Sequence, residues 1–135
     1  MGDTNFIGNS CEAEVLCYLT KLNITVSLPF CGNERYDQIW DINGKLLRIQ
    51  VKKSNLSEDK SAIIFSTKSS SKYTSDEIDG FATYYNGKVY YVPIENAGRN
   101  DIKLRFNCPP NSQLKQIKFA YDYELENILQ INEIS

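Results

Sequence analysis

Two Asn-Gly dipeptides, each lying between short runs of β-branched and aromatic residues, constrain the fold of this chain more than any other sequence feature. They are Asn43-Gly44 and Asn86-Gly87. An Asn-Gly pair is typical of the two-residue type I′ turn, because both central residues of that turn need a positive φ angle. We therefore predict two antiparallel hairpins, with strands at residues 35–42 and 45–53 and at residues 81–85 and 88–93.

The segments around the hairpins carry helix and strand patterns. Val15, Leu19 and Leu22 follow the 3.6-residue period and predict a helix over residues 9–22, with Asn9 or Ser10 as its N-cap. Further elements are expected as strands at residues 23–28 and 62–67, a helical turn at the capping box of residues 74–77, and a closing helix at residues 118–131. This order predicts an α/β fold in which helices flank a mixed β-sheet, within a single domain spanning residues 1–135.

The composition excludes several classes of catalytic site. The chain has no histidine, which removes Ser-His and Cys-His nucleophiles and imidazole general bases. Its four cysteines form no CxxC pair, so we expect reduced packing thiols and no Cys/His zinc site. The first residues resemble no secretory signal and no run of about 18 apolar residues exists, which predicts a cytoplasmic protein without a membrane partner. Catalysis would depend on carboxylates, lysines, tyrosines or a metal.

The charge is unevenly distributed along the chain. The net charge is −2 and the pI about 5.2, which argues against a protein that coats nucleic acid without specificity. Residues 45–72, however, contain seven basic and two acidic residues. This basic block is either a local surface that faces phosphates or a solvated loop face, and charge alone does not separate the two.

The turn at Asn43-Gly44 also sets the strand register. A two-residue loop pairs Ile42 with Lys45, and the same register continued along the strands places Asp37 opposite Gln50. It likewise places Arg35 opposite Lys52. Alternation then puts Asp37, Arg48, Gln50 and Lys52 on one side of the hairpin, opposite the apolar side chains of Leu47, Ile49 and Val51.

The first helix adds a carboxylate to this group. Glu12 shares the apolar stripe with Leu16 and Leu19, whereas Glu14 projects elsewhere. Burying a lone carboxylate costs free energy, so we predict that a cation lies next to Glu12, either a metal ion or Lys52. The alternative is structural: Glu12 interacts with the helix dipole, and Asp37 and Lys52 form a cross-strand salt bridge.

Three motifs taken together resemble a known family: Gly8-x3-Glu12, Arg35-Tyr36-Asp37 and Arg48-Ile49-Gln50-Val51-Lys52. They are similar to the signature of the PD-(D/E)xK nucleases, in the branch of group I intron-encoded homing endonucleases and, more distantly, archaeal Holliday junction resolvases. The resemblance implies a restriction-endonuclease-like core. Tyr36 replaces the family's proline, a change without chemical consequence.

Gln50 departs from the family pattern in a way that matters for chemistry, because relatives usually have Asp or Glu there. A carboxamide still offers an oxygen to Mg²⁺, but the site loses one negative charge and should bind the metal less tightly. Some homing endonucleases of this branch look similar in having Gln at this position, which favours them over the resolvases. An inactive relative that binds DNA without cutting it remains an alternative.

The resemblance implies a Mg²⁺-dependent endonuclease, with Mn²⁺ as a substitute ion. Asp37 would be the principal ligand, Gln50 and the Val51 carbonyl neutral ligands, and Glu12 an inner-shell or water-mediated ligand. Lys52 would orient or deprotonate the attacking water and stabilise the phosphate. A double-strand cut requires two active sites, so the implied partners are double-stranded DNA and further copies of the chain, in a dimer or tetramer. Such a protein would be nucleoid-associated when bound to DNA.

Contacts to DNA are expected mainly from the basic block and its flanks. The candidates are Arg35, Arg48, Lys53, Lys60, Ser69, Ser70 and Lys72. The competing functions are a junction resolvase that selects branched DNA by shape, a non-catalytic DNA-binding domain that kept the nuclease fold, and an α+β domain that binds a small ligand.

Overall fold

The computed structural model describes residues 4–32, 34–68, 72–98, 100–107 and 117–134. Its helices are α1 (Thr4–Lys21), α2 (Ala120–Tyr123) and α3 (Leu125–Ile134). Its strands are β1 (Thr25–Ser27), β2 (Gln38–Ile42), β3 (Lys45–Val51), β4 (Asn55–Leu56), β5 (Ala62–Ser66), β6 (Gly80–Tyr85), β7 (Lys88–Pro93), β8 (Asp101–Arg105) and β9 (Lys118–Phe119). A short 3-10 turn, Ile94–Asn96, follows β7.

The first sheet is built from the two predicted hairpins. Its strand order is β1-β2-β3-β6-β7, with β3 and β6 parallel and the other neighbours antiparallel. Asn43 and Gly44 have φ angles of 54° and 87°, and Asn86 and Gly87 have 50° and 82°. Positive φ at both central residues is the requirement of the type I′ turn, so both hairpins are confirmed.

A second sheet, of order β4-β5-β8-β9, lies beside the first and was not expected from the sequence. The strand predicted at residues 62–67 forms as β5 but belongs to this sheet, where it pairs with β8. The strands β4 and β9 have only two residues each, too few to show a period-2 pattern. The predicted α/β class is confirmed, with two mixed sheets flanked by helices where one was expected.

Two apolar clusters cover opposite faces of the first sheet. One contains Val15 and Leu19 of α1, Trp40 of β2, Ile49 of β3 and Leu125 of α3. The other lies towards the second sheet, and its buried members include Phe65, Phe81, Ile102 and Leu104. Strand β6 is therefore central and covered on both faces, whereas its parallel neighbour β3 is covered on one face, through Ile49 and Val51.

The helix ends differ from the sequence prediction. Helix α1 begins at Thr4, so the N-cap expected at Asn9 or Ser10 is wrong. Polar residues of this kind favour caps but are tolerated inside a helix that packs on a sheet. The closing helix expected over residues 118–131 is divided, because Glu124 is extended and bridges to Tyr90 between α2 and α3.

The capping box at residues 74–77 is confirmed as a helical turn. The Thr74 N–H donates to Glu77 Oε1 at 3.0 Å, and the Ile78 N–H donates to the Thr74 carbonyl at 3.1 Å. The turn does not continue into a helix, because Asp79 and Gly80 enter the first sheet: the Asp79 N–H donates to the Arg48 carbonyl.

The thiol prediction holds for one cysteine. Cys11 is buried and free, whereas Cys17 and Cys31 are free but exposed, so the expectation that they pack in the core is wrong. Cys108 lies outside the described residues. Among the helices of the described ranges, none has the length and apolar character needed to cross a bilayer.

Candidate active site

The candidate site begins where the β2–β3 ladder ends. The predicted register is confirmed from Ile42↔Lys45 to Gln38↔Ile49. The register ends at that pair. The Asp37 N–H donates to the carbonyl of Ile49 at 2.8 Å, whereas a continued register would place Asp37 opposite Gln50. The predicted cross-strand positions of Asp37 opposite Gln50 and of Arg35 opposite Lys52 are therefore wrong.

At this point the side chain of Asp37, and not a backbone carbonyl, accepts the hydrogen bond from β3. The Val51 N–H donates to Asp37 Oδ2 at 2.9 Å, so the carboxylate takes the place of the ladder acceptor. On the other edge of β3, the Lys52 N–H donates to the Ala82 carbonyl of β6 at 2.8 Å. Asp37 is thus fixed against the backbone of a central strand by two hydrogen bonds, one from its main chain and one to its side chain.

Helix α1 brings Glu12 to the same place. Glu12 is half-buried and Glu14 is exposed, which confirms that the two carboxylates face different surroundings. The fully buried stripe of the helix is Cys11, Val15 and Leu19, so Glu12 lies at its border and not on its centre as expected. Burial at a border allows the carboxylate to reach the open end of the hairpin.

Glu12 and Asp37 form an electrostatically coupled pair. Burial, then the negative charge of Asp37 and a hydrogen bond between the two carboxyl groups, raise the pKa of Glu12 from 4.5 to about 7. Burial also raises the pKa of Asp37, against the opposing effects of the Val51 N–H and the Lys52 ammonium. Two carboxyls whose pKa values are both raised disfavour their joint ionisation, and a nearby cation would relieve this repulsion.

Gln38 was missed by the sequence analysis, although it connects the helix to the hairpin. Its side chain is 1% exposed; Nε2 donates to the Glu12 carbonyl at 2.9 Å, and Oε1 accepts from the Trp40 indole N–H at 2.9 Å. Residues 37 and 38 therefore hold Glu12 through its side chain and its backbone respectively. The available signal was a glutamine two residues before a core tryptophan, on the buried face of the strand.

Gln50 and Val51 carry neutral oxygen atoms at the end of β3, where the Val51 N–H bonds Asp37. The Gln50 amide nitrogen lies 3.5 Å from the Val51 carbonyl oxygen, at the outer limit of a hydrogen bond. Val51 is buried in the cluster with α1, as predicted, and Gln50 is half-buried. The carbonyl and the carboxamide thus lie close to each other at the end of β3.

Lys52 places a positive charge close enough to this group to act on Asp37. Its Nζ donates to the Lys68 carbonyl at 3.2 Å and lies 5.2 Å from the centre of the Tyr73 ring. The ammonium partly opposes the burial that raises the pKa of Asp37, although the two do not form an ion pair among the salt bridges of the described residues. The cross-strand salt bridge considered as a structural alternative is therefore not formed.

The donor set fits a hard divalent cation. Two carboxylates, a carboxamide and a main-chain carbonyl are all oxygen ligands, the kind that Mg²⁺ and Mn²⁺ take in proteins. In the described part of the chain, no three Asp, Glu or Cys side chains come together as a metal cluster. An ion at this site would have Glu12 and Asp37 as its charged ligands, with neutral oxygens such as those of Gln50, Val51 and water completing its shell.

The two arginines of the predicted DNA surface differ in their surroundings. Arg48 donates to Asp79 from its backbone N–H (2.7 Å) and from Nε (3.2 Å), and its terminal nitrogens donate to the carbonyls of Ser75 and Asp76. It fastens β3 to the turn before β6. Arg35 lies over the Tyr73 ring and 3.6 Å from Glu77 Oε2.

The remaining predicted contacts are scattered along the basic block. Lys53 is exposed directly after the motif, and Lys60 is exposed in the turn between β4 and β5, with a φ of 63°. Lys72 is exposed and bridges to Lys68. Ser69 and Ser70 lie outside the described residues.

Comparisons with known proteins identify the family and a similar fold. A family model described as PD-(D/E)XK endonuclease matches residues 2–126. Among solved structures, the fold is similar to that of a bacterial homing endonuclease, I-Ssp6803I, with a TM-score of 0.71 and 21% sequence identity over 100% of both chains. A search of curated sequences found no match. The family resemblance and the restriction-endonuclease-like fold predicted from the sequence are confirmed.

Proposed function

Because the chain belongs to the PD-(D/E)XK endonuclease family, we propose that it is a Mg²⁺-dependent homing-type endonuclease that makes a double-strand break in duplex DNA. The single domain of residues 1–135 would carry the whole activity. Mn²⁺ would substitute for Mg²⁺, because both ions take oxygen ligands. Two cuts need two sites, so the working form would be a dimer or tetramer, in the cytoplasm and on the nucleoid when bound to DNA.

The observation that supports this proposal best is the coupled pair of Glu12 and Asp37 at the end of the β2–β3 ladder. Burying two carboxylates side by side costs free energy, and the pKa of each is raised. Such pairs are typical of functional sites. The sequence places a carboxamide, a carbonyl and a lysine at the adjoining end of β3. This combination suits phosphodiester hydrolysis better than ligand binding.

The residues have distinct roles in this reaction. Glu12, Asp37, Gln50 and the Val51 carbonyl would hold Mg²⁺, which when bound supplies Lewis-acid polarisation of a phosphoryl oxygen. The Lys52 ammonium would orient the attacking water or, once neutral, accept its proton. Its positive charge would also stabilise the negative charge that develops on the phosphate.

Recognition of the duplex would come from the basic residues around the site. Lys53, Lys60 and Lys72 are exposed and would contact phosphates directly, and Arg35 would add its charge from its place over Tyr73 and beside Glu77. Arg48 is bound to Asp79 and two backbone carbonyls. We include Ser69 and Ser70 in this surface from their sequence position alone. Contacts of this kind position the chain on DNA without reading its sequence.

Two features favour the homing type over the junction resolvase. At position 50 the chain has glutamine, which resembles some homing endonucleases of this branch. The fold is also similar to that of a bacterial homing endonuclease. A resolvase selects branched shape, so a four-way junction is the substrate that separates the two functions. A non-catalytic DNA-binding domain would bind DNA and cut neither substrate.

The experiment compares the wild-type chain with Lys52→Met and Lys45→Met. The substrates are a randomised linear duplex library, with cut ends captured by ligation, and a four-way junction, each with Mg²⁺ or with EDTA. We expect metal-dependent cutting of linear duplex, reduced about 100-fold or more in Lys52→Met, because methionine keeps the stem and removes the ammonium. Lys45 is exposed at the other end of the same strand and serves as the matched control.

The outcomes separate the candidate functions. Preferential cutting of the four-way junction would favour the resolvase, and binding without cutting would favour the non-catalytic domain. If Lys52→Met cuts like the wild type, the assignment of Lys52 is wrong. Equal losses in both lysine variants would show that general positive charge, and not the position of Lys52, matters.

A further inference from the structure

We propose that Tyr73 is a positioning residue that holds the Lys52 ammonium, together with the Arg35 guanidinium, over its aromatic face. The inference rests on the proposed nuclease function and deepens it, because it concerns where positive charge is held for the scissile phosphate. Neither the spacing of the motifs nor the charge pattern pointed to this tyrosine. Only the packing around the end of β3 brings it to the site.

The contacts are those of cation–π pairs. The Lys52 Nζ lies 5.2 Å from the ring centre, and the Arg35 Cζ lies 4.1 Å from it. Both distances are within the range of about 6 Å at which a ring face attracts a cation. Two side chains that precede and follow the hairpin in sequence therefore meet on one aromatic ring.

Tyr73 is itself held by the core. Its ring meets Phe81 edge-on, with the ring centres 5.6 Å apart and an interplanar angle of 83°. Phe81 is buried in β6 and lies directly opposite Gln50 of β3 in the parallel ladder. The ring is thus anchored to the central strands that carry the proposed site, and a fixed ring can fix the cations over it.

The helical turn at residues 74–77 completes the arrangement around Arg35. Glu77 accepts from the Thr74 N–H and lies 3.6 Å from Arg35, so its carboxylate is tied to the residue next to Tyr73. One short turn therefore presents both an aromatic face and a carboxylate to the guanidinium. This gives Arg35, which precedes Asp37 by two residues in the sequence, a defined place.

An aromatic partner suits a lysine that must meet a phosphate. Lysine has a long flexible stem, and its ammonium loses rotamer entropy when it is held in place. A carboxylate partner would hold it too, but the phosphate would then compete with that carboxylate for the charge. A ring face attracts the ammonium while leaving its N–H donors free, and the Lys68 carbonyl takes only one of the three.

The test uses three variants of the full chain. Tyr73→Leu removes the ring, Tyr73→Phe keeps the ring and removes only the hydroxyl, and Tyr123→Leu makes the same change at a tyrosine that packs on the same apolar cluster. The first readout, which needs no catalysis, is the NMR resonance of the Lys52 ε-protons, assigned by its loss in Lys52→Met. The second is the cleavage rate at saturating DNA, and thermal unfolding shows that each variant is folded.

We expect the Lys52 ε-protons to lie upfield of the other lysines in the wild type and in Tyr73→Phe, and to return to the ordinary position in Tyr73→Leu. We expect kcat to fall about tenfold in Tyr73→Leu with little change in KM, and to be retained in Tyr73→Phe and Tyr123→Leu. Wild-type kcat in folded Tyr73→Leu, or an ordinary Lys52 resonance in the wild type, would overturn the proposal.

A failure of the proposed function is distinguishable from a failure of this inference. If the wild type cuts no DNA, the nuclease proposal falls and the catalytic consequence of Tyr73 falls with it, whatever the resonance shows. If the wild type cuts and the resonance is unshifted, only the role of Tyr73 is wrong. Equal losses of kcat in Tyr73→Leu and Tyr123→Leu would also overturn it, because a general packing effect would then be sufficient.

Discussion

The two hairpins of the first sheet have the same turn but different far ends. In the second hairpin, β6 and β7 stay paired through six residue pairs, from Tyr85↔Lys88 to Gly80↔Pro93. In the first, β2 and β3 stay paired through five, and regular pairing stops at Gln38↔Ile49. Beyond that point the Asp37 carboxylate accepts the Val51 N–H that a continued ladder would have bonded.

This difference shows how the end of a regular sheet can hold a reactive side chain. In a complete ladder, such as that of β6 and β7, the facing backbone N–H and C=O groups bond to each other. Where the ladder of the first hairpin ends, a carboxylate is fixed by the backbone of β3 while facing Glu12. The candidate site therefore lies at the irregular end of an otherwise regular hairpin.

The largest expected effect comes from the side chain that replaces the ladder. Asp37→Asn keeps an oxygen acceptor for the Val51 N–H but removes the charge, so we expect a folded chain whose cleavage rate falls about 1,000-fold. Added Mn²⁺ should restore part of the rate, because Mn²⁺ generally binds such ligands more tightly than Mg²⁺. Cleavage assays with each ion, and circular dichroism for the fold, provide the measurement.

The control for this variant is Asp41→Asn on the same strand, where the carboxylate accepts the Gly44 N–H within the turn. It should change cleavage little. An unfolded Asp37→Asn chain would mean that the carboxylate is structural, and an unchanged rate would mean that the end of the ladder is not the site.

Glu12 and Glu14 test the contribution of the helix to the first hairpin. We expect Glu12→Gln to lower the cleavage rate about 100-fold, because its carboxyl is coupled to Asp37, and Glu14→Gln to leave it unchanged, because that side chain is exposed. The measurement is the rate of duplex cleavage at saturating Mg²⁺. Normal cutting by both variants would restrict the metal site to the hairpin residues alone.

Substitutions of Gln50 test whether the last residues of β3 contact the metal ion. Gln50→Glu adds one negative charge, so we expect activity to persist and the Mg²⁺ concentration for half-maximal rate to fall about tenfold. Gln50→Leu keeps the approximate volume without the oxygen and should lose most activity. Mg²⁺ titrations of the three chains are the measurement, and identical curves would show that residue 50 does not contact the ion.

The smallest expected effect is on stability without metal. The pKa of Glu12 is raised to about 7 in the folded chain, so the folded state binds its proton more tightly than the unfolded state does. Stability should therefore fall as the pH rises from 4.5 to about 7, and the raised pKa of Asp37 acts in the same direction. Thermal unfolding in EDTA at pH 5 and pH 8 measures this effect.

Glu12→Gln should flatten that dependence, and saturating Mg²⁺ should do the same in the wild type by binding the ionised pair. A wild-type chain that becomes more stable between pH 5 and pH 8 in EDTA would contradict the coupling of the two carboxyls. The hairpin at Asn86-Gly87 carries no such pair and provides no comparable pH dependence.

The sequence alone was sufficient to predict the features that depend on neighbouring residues. Positive φ at Asn-Gly made both turns predictable, and the alternation of Leu47, Ile49 and Val51 made the buried face of β3 predictable. The family motif located Glu12, Asp37, Gln50 and Lys52, and it implied the correct fold. The roles assigned to these residues remain predictions.

The remaining features depend on partners that are distant in the sequence. The second sheet needed β5 and β8 to meet across some forty residues of chain, and no local pattern records that pairing. The end of the β2–β3 ladder, the hydrogen bonds of Gln38 and the cations over Tyr73 likewise depend on side chains from distant segments. Turns and alternation follow from neighbouring residues, whereas the site's geometry follows from what packing brings together.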